Sequence, residues 1–174
     1  MCERPDVPLT PAVLTLKAEI PDAGWFPIHI TLSCAVLHEG YVIPVQTRDI
    51  LHSGEIYCSQ VFDPMPSFFD ALCQAMNCAS EYSILKVEEE GPSTLIELWY
   101  LSDTIAQMHY RTLGRKRDVD LHLLVDRKNL YEQLNNVFKI FILNNGWVDY
   151  VTGYNDFTYN DLEKEVIGSL KIRR

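Results

Sequence analysis

The sequence lacks the motifs that usually reveal an enzyme. It has no Gly-rich phosphate loop, no Gly-x-Ser-x-Gly elbow, no His-Glu-x-x-His helix and no kinase signature. Its histidines are scattered over positions 29, 38, 52, 109 and 122 instead of clustering in one motif. We therefore expect no catalytic residue and no cofactor, which favours a non-enzymatic function.

Signals for membranes and secretion are missing as well. No apolar run approaches the roughly 18 residues of a membrane span, and the start of the chain has no basic flank followed by an apolar stretch. The five cysteines include no Cys-x-x-Cys pair, so we expect free thiols. These features predict a soluble, cytoplasmic protein without membrane contact. Its 174 residues, 47% of them hydrophobic, are expected to form a single domain over 1–174.

Basic residues are scarce. Fifteen Lys and Arg face 24 Asp and Glu, which gives a formal net charge of −9. Because such a charge opposes nonspecific attraction to a polyphosphate, we expect no nucleic-acid partner, whereas a basic protein would be attracted. Arg115, Lys116 and Arg117 gather at one predicted hairpin tip, where we expect solvated side chains.

Residues 81–126 carry the clearest structural pattern. Runs of alternating apolar and polar side chains are separated by short turn sequences, namely Glu90-Gly91-Pro92, Ser102-Asp103 and Gly114 to Arg117. This pattern predicts an antiparallel meander. In its first hairpin we expect Lys86 opposite Glu97, and we expect the run Glu88-Glu89-Glu90 to be a solvated hairpin end.

The last hairpin of the meander has a testable register. A four-residue loop places Tyr110 opposite Leu121 on a mostly apolar face, which we expect to be buried. The other face then carries Arg111 opposite Asp120, and two histidines opposite one another. An opposite-charge pair across strands supports this register.

More strands are expected before the meander. Alternation over 14–20 and 28–36 predicts half-buried strands, and 55–61 is a candidate for a short one. The run 41–46 contains Pro44, which removes a ladder donor and favours an edge position.

Helices are predicted where apolar residues recur at three- and four-residue spacing, at 67–78, 127–144 and 158–171. Ser67, Asp126 and Thr158 are their expected N-terminal caps. The expected fold class is therefore α+β. A mainly antiparallel sheet of about six or seven strands, including the meander at 81–126, would carry about three helices on one face.

Two groups of residues are candidate sites. His109 and His122 face one another, but Asp120 is the nearest further ligand and Arg111 would repel a cation, so we expect a polar sheet face and no metal site. The segment 147–157 is unusually aromatic and either packs on the sheet or forms a recognition surface. As recognition residues we single out Trp147, Asp149, Tyr150, Tyr154 and Asp156.

Two classes of function follow from these observations. The first is a non-enzymatic protein-binding module, in its most concrete form an immunity- or antitoxin-type inhibitor whose acidic surface covers a basic toxin. The alternative is a small-ligand-binding protein or enzyme with a site between sheet and helices, lined by Trp99, Tyr100, Tyr110 and Phe138. A homodimer that buries the second face of the sheet is compatible with either class.

Overall fold

The computed structural model describes residues 4–22, 24–45, 49–59, 61–77 and 81–144. Within them the chain forms four strands, a helix, four more strands and a second helix. The strands are β1 (Thr10–Ala18), β2 (Trp25–His38), β3 (Tyr41–Pro44), β4 (Ile50–Ser59), β5 (Tyr82–Glu88), β6 (Ser93–Tyr100), β7 (Ile105–Leu113) and β8 (Asp120–Asp126). The helices are α1 (Met65–Asn77) and α2 (Arg127–Leu143).

The sheet-dominated α+β class with mostly antiparallel strands is confirmed. The number of elements is only roughly matched, since the sheet has eight strands instead of six or seven and the described residues contain two helices. The third predicted helix, at 158–171, lies outside the described residues. Neither α1 nor α2 is long and apolar enough to cross a membrane.

The strands form one sheet in the order β3-β2-β1-β8-β7-β6-β5, and β4 pairs with β2 as well. Because β2 has fourteen residues, it can pair with β1, β3 and β4 at once. The pairing between β1 and β8 is parallel and joins the two four-stranded halves of the chain. Alternation within each strand did not predict this junction, because it is formed by segments more than a hundred residues apart.

The register of the meander is partly as predicted. Between β7 and β8, Tyr110 pairs with Leu121 and His109 with His122, which confirms the last hairpin. Between β5 and β6 the prediction was wrong by two residues, since Lys86 pairs with Leu95 instead of Glu97. The loop lies one residue earlier than expected, between the paired residues Glu88 and Ser93, and within it Glu90 and Gly91 both adopt positive φ angles, 55° and 148°.

The helices begin where local side chains accept their free N–H groups. Asp126 caps α2 as predicted, accepting from the Asn129 N–H at 2.7 Å. Helix α1 starts at Met65, two residues before the predicted start at Ser67. The Asp63 carboxylate accepts from the Met65 N–H at 2.9 Å and so serves the role that we had expected of Ser67.

Both helices pack on one face of the sheet, here called the inner face. The core between them contains ring contacts such as Phe26 with Phe141 and Phe69 with Phe138, at centroid distances of 5.2 and 5.9 Å. The sheet curls so strongly that the His52 ring of β4 lies 5.2 Å from the Tyr110 ring of β7. The opposite, outer face of the sheet carries no helix among the described residues.

Two turns meet the edge strand β4 and hold this curl in place. Arg115, between β7 and β8, donates to the Glu55 carbonyl at 2.8 Å and to the carboxylate of Glu89. Thr94 donates to the same carboxylate at 2.9 Å. We expected Glu89 and Arg115 to be solvated at the ends of their hairpins. This expectation is wrong, because tertiary packing buries the Glu89 carboxylate and pairs it with Arg115.

Candidate functional site

A cluster of charged and imidazole side chains lies on the outer face of the sheet. We call it the outer cluster, and its members are Glu97, His109, Arg111, Asp120 and His122. They lie on one face because Glu97 pairs with His109, His109 pairs with His122, and Arg111 pairs with Asp120 across adjacent strands. Sequence reasoning placed the four members on β7 and β8 together and did not include Glu97.

His109 is the centre of the outer cluster. Its Nε2 lies 2.7 Å from Asp120 Oδ1 and its Nδ1 lies 3.3 Å from Glu97 Oε2. His109 is only 9% exposed. Its ring stacks on the His122 ring at a centroid distance of 3.9 Å. Carboxylates on both sides therefore determine the orientation of this imidazole.

Glu97 is held by two further donors. Arg111 Nη2 donates to its Oε2 at 2.8 Å and the Tyr82 hydroxyl donates to its Oε1 at 3.0 Å. The Arg111 charge is thus paired with Glu97 and does not stand opposite the histidines as an isolated cation. Glu97 was missed because the sequence left the register between the two hairpins open; the β6–β7 pairing is what places it opposite His109.

His122 is less well satisfied than His109. Its Nε2 lies 3.6 Å from Asp120 Oδ1, which is beyond hydrogen-bonding distance, and its buried Nδ1 has no hydrogen-bond partner. Burial lowers the pKa of His122, and the neighbouring charges of His109 and Arg111 lower it further, against the opposing effect of Asp120 and Glu97. The neutral imidazole, which is the form that can coordinate a metal ion, is therefore favoured.

The outer cluster is partly shielded from solvent. Gln107, next to His109 on the outer face of β7, is buried and donates to the Pro5 carbonyl at 3.4 Å. The segment before β1 thus crosses this face. The rings of Tyr82 and Trp99, on the same face, contact each other in a tilted arrangement at a centroid distance of 5.2 Å. Their rings extend the outer face toward the β5 edge of the sheet.

The space between the sheet and the helices offers little room for a ligand. The cavity there has a volume of about 10 Å³ and is lined by apolar side chains from the strands and both helices, among them Leu16, Phe68 and Leu134. Of the residues expected to line a site, Tyr100, Tyr110 and Phe138 belong to or pack against this core, whereas Trp99 lies on the outer face. A volume of this size admits at most about one water molecule.

A second surface feature lies at the turn from β2 to β3 and at the start of β4. Six large apolar side chains there are between 37% and 61% exposed. We call this group the hairpin surface, and its members are Val36, Leu37, Tyr41, Ile43, Ile50 and Leu51. Val36 and Ile43 form a direct cross-strand pair. As Pro44 suggested, β3 is at one end of the strand order of the sheet.

The aromatic recognition residues predicted from the sequence lie outside the described residues. These are Trp147, Asp149, Tyr150, Tyr154 and Asp156. Their role as a binding surface therefore stays a prediction. The cysteines within the described residues, Cys34, Cys58 and Cys73, are free thiols.

The described part of the chain is thus an α+β fold with eight strands, two helices and the two surfaces above. No protein-family model matches it, and no curated protein matches it either. Among solved structures, the chain is similar to one described as the structure of a guideRNA-binding protein complex bound to a gRNA. The identity is 10%, the match covers 80% of this chain and 95% of that chain, and the TM-score is 0.40.

This match corrects one expectation. We excluded a nucleic-acid partner on net charge, yet the matched chain belongs to a complex bound to a guide RNA. The exclusion is withdrawn because net charge describes the whole molecule and not the charge of a single face. At a TM-score of 0.40 the likeness gives no support to any particular ligand for this chain.

Proposed function

We propose that this chain is a protein-binding module that holds its partner at the hairpin surface. The observation that carries the proposal is the exposure of six large apolar side chains between positions 36 and 51. Single exposed apolar residues are ordinary on a protein surface, whereas neighbouring ones, such as Val36, Tyr41 and Ile43 on one face of the β2–β3 hairpin, are a feature of binding sites. The expected partner surface is apolar at its centre and basic around it.

Packing among the described residues does not explain the apolar character of the hairpin surface. Val42, between Tyr41 and Ile43, is buried, so the opposite face of β3 packs within the chain. Val36 and Ile43 face one another and remain more than two-fifths exposed. Large apolar side chains that do not support the fold are free to contribute binding energy to a partner.

Acidic residues around the hairpin surface support a basic rim on the partner. Glu39 lies at the turn, Asp49 precedes β4, and both are exposed. Asp103 lies beside the same turn, since the adjacent Thr104 donates to the Gly40 carbonyl at 3.0 Å. With a net charge of −9, these residues would steer a basic partner toward the hairpin.

An immunity- or antitoxin-type inhibitor in the cytoplasm is the most concrete form of this proposal. It rests on the acidic charge, because such an inhibitor must cover a basic active site. The alternative of a small-ligand site between sheet and helices has less support, since the cavity of about 10 Å³ there is lined by apolar side chains.

The experiment places a photo-crosslinking amino acid at Tyr41 in cells that produce the chain natively, with Ile84 as the matched control position. Ile84 is an exposed apolar residue on β5, at the opposite end of the strand order. The crosslinked protein is identified and purified, and its affinity is measured by calorimetry for the native chain and for the variants Ile43→Lys and Ile84→Lys.

We expect a crosslink to one basic protein from position 41 and none to it from position 84. Ile43→Lys should weaken binding by about tenfold or more, Ile84→Lys should leave it unchanged, and the affinity should fall as salt rises. Crosslinking from position 41 to RNA or to a second copy of the chain would overturn the proposal. Equal affinities of the native chain and Ile43→Lys would overturn it too.

A further inference from the structure

We propose that His109, Asp120 and His122 bind a divalent transition-metal ion of the zinc class. One ligand atom from each of these residues lies within 4.8 Å of the other two. The three side chains come from adjacent, antiparallel strands whose register places them on one face. The inference concerns the outer cluster and does not depend on a partner at the hairpin surface.

The distances are close to those that a metal ion requires. Zinc binds imidazole nitrogen and carboxylate oxygen at about 2.0–2.2 Å, so two ligands of a tetrahedral ion lie roughly 3.4 Å apart. His122 Nε2 is already 3.6 Å from Asp120 Oδ1. His109 Nε2 is 2.7 Å from the same oxygen, so these two atoms would have to move apart to the separation of two ligands on one ion. The exposed Asp120 carboxylate and one of the two imidazoles, which stack with an interplanar angle of 22°, would both have to rotate to point at one ion.

The residues behind the ligands also match a metal site. A histidine ligand usually directs its second ring nitrogen to a carboxylate, which orients the ring and raises its basicity. Glu97 lies in this position, 3.3 Å from His109 Nδ1, and is itself held by Arg111 and Tyr82. We therefore assign Glu97 as a positioning residue for His109.

The charge of the outer cluster favours a cation. With both imidazoles in the neutral form that a metal ion requires, Arg111 contributes one positive charge and Glu97 and Asp120 one negative charge each, so the formal charge of the group is −1. Arg111, which we had expected to repel a metal ion, donates to Glu97 at 2.8 Å, so its charge is paired with a carboxylate that is not one of the three ligands. His122 would give up no hydrogen bond on coordination, because its Nδ1 has no partner and its Nε2 is too far from Asp120.

The ligand set selects the kind of ion. Two imidazoles and one carboxylate suit zinc and neighbouring transition metals, whereas calcium and magnesium prefer sites built from oxygen alone. Three protein ligands leave the fourth tetrahedral position for water or for an added ligand. Asp120 is the most exposed of the three, so this position faces solvent.

Calorimetric titration of the chelator-treated full chain with zinc chloride tests the proposal, with magnesium and calcium chloride as comparison ions. The variants are Asp120→Asn, His122→Gln and Glu97→Gln. His29→Gln is the matched control, since His29 also lies between two carboxylates, Glu19 at 2.6 Å and Glu55 at 3.2 Å. It has no second histidine ligand beside it among the described residues.

We expect one zinc ion per chain, no heat from magnesium or calcium, and unchanged zinc binding in His29→Gln. Asp120→Asn and His122→Gln should each lose at least tenfold in zinc affinity, and Glu97→Gln about tenfold. Imidazole nitrogen NMR distinguishes ligation from misfolding, because only the ring signals of His109 and His122 should shift on zinc addition. Absence of binding by the native chain, or native affinity in both Asp120→Asn and His122→Gln, would overturn the proposal.

Discussion

Arg115 binds the carboxylate of Glu89 through a single nitrogen that lies 2.6 and 2.7 Å from its two oxygens. The Glu89 side chain is only 4% exposed, and the same arginine nitrogen also donates to the backbone of β4. One ion pair thus connects two turns of the meander with the opposite edge of the curled sheet. The first prediction concerns the stability of this connection.

Replacing Arg115 by Met should lower the free energy of unfolding by about 3 kcal/mol, because it leaves the Glu89 carboxylate buried without its cation. Equilibrium unfolding in urea measures the change. Lys86→Met is the matched control, since it breaks the exposed Lys86–Glu88 ion pair and should cost at most about 1 kcal/mol. Similar losses in the two variants would show that the buried pair has no special role.

The second prediction concerns Arg127, the buried first residue of α2. Its guanidinium donates to the carbonyls of Gln74 and Ala75 at the end of α1 and to that of Ser102 at 3.0 Å, and it lies over the Tyr100 ring. Arg127→Lys keeps the charge but cannot reach three acceptors at once, so we expect a loss of about 1–3 kcal/mol in urea unfolding.

Lys128→Met is the control for Arg127, because Lys128 is the next residue and is largely exposed. It should change the free energy of unfolding by no more than about 0.5 kcal/mol. If Arg127→Lys were equally mild, the arginine would not be needed to satisfy the carbonyls at the end of α1.

The third prediction concerns the pH dependence of stability. Burial lowers the pKa of His52 from its ordinary value of 6.5, and the nearby charge of Arg115 lowers it further. Below pH 6.5 the unfolded chain therefore binds the proton more readily than the folded chain does. The contribution of His52 is fully present above that pH and is lost as the pH falls through the lowered pKa.

His52→Phe keeps a ring against Tyr110 and removes the titrating group. Its free energy of unfolding should fall less between pH 7 and pH 5 than that of the native chain, as measured by urea titrations at each pH. The difference will be partial, because the pKa of His122 is lowered as well. Parallel pH profiles for the two proteins would rule out a contribution from His52.

The fourth prediction separates the two sides of β3. Val42 is 7% exposed, so Val42→Lys should lower the free energy of unfolding by more than about 2 kcal/mol. Ile43 is well exposed, and Ile43→Lys should cost at most about 1 kcal/mol. Thermal unfolding of both variants checks this contrast, and a large loss in Ile43→Lys would mean that the hairpin surface supports the fold.

Part of this architecture was predictable from local patterns. The capping Asp126 and the apolar spacing behind it predicted α2 closely, and the alternation around the turn after β7 predicted the pairing of His109 with His122. In both places a shift by one residue would expose apolar side chains, and in the hairpin the four-residue loop and the pairing of Arg111 with Asp120 selected one of the registers that keep the faces.

Other features could not be read from such patterns. A shift of β6 by two residues keeps every side chain on its face, so alternation could not exclude the pairing of Lys86 with Glu97. The positive φ angles of Glu90 and Gly91 decided that register. The register between β6 and β7 was left open as well, and only that pairing places Glu97 opposite His109 and completes the outer cluster.

By itself, then, the sequence determined the α+β class, the second helix and the register of the last hairpin, since each depends on residues that are near in the chain. Only the tertiary structure decided the parallel junction of β1 with β8, the burial of Glu89 against Arg115, and the meeting of Glu97 with His109. These contacts join distant segments of a curled sheet. Their geometry depends on how the whole core packs and not on any local pattern.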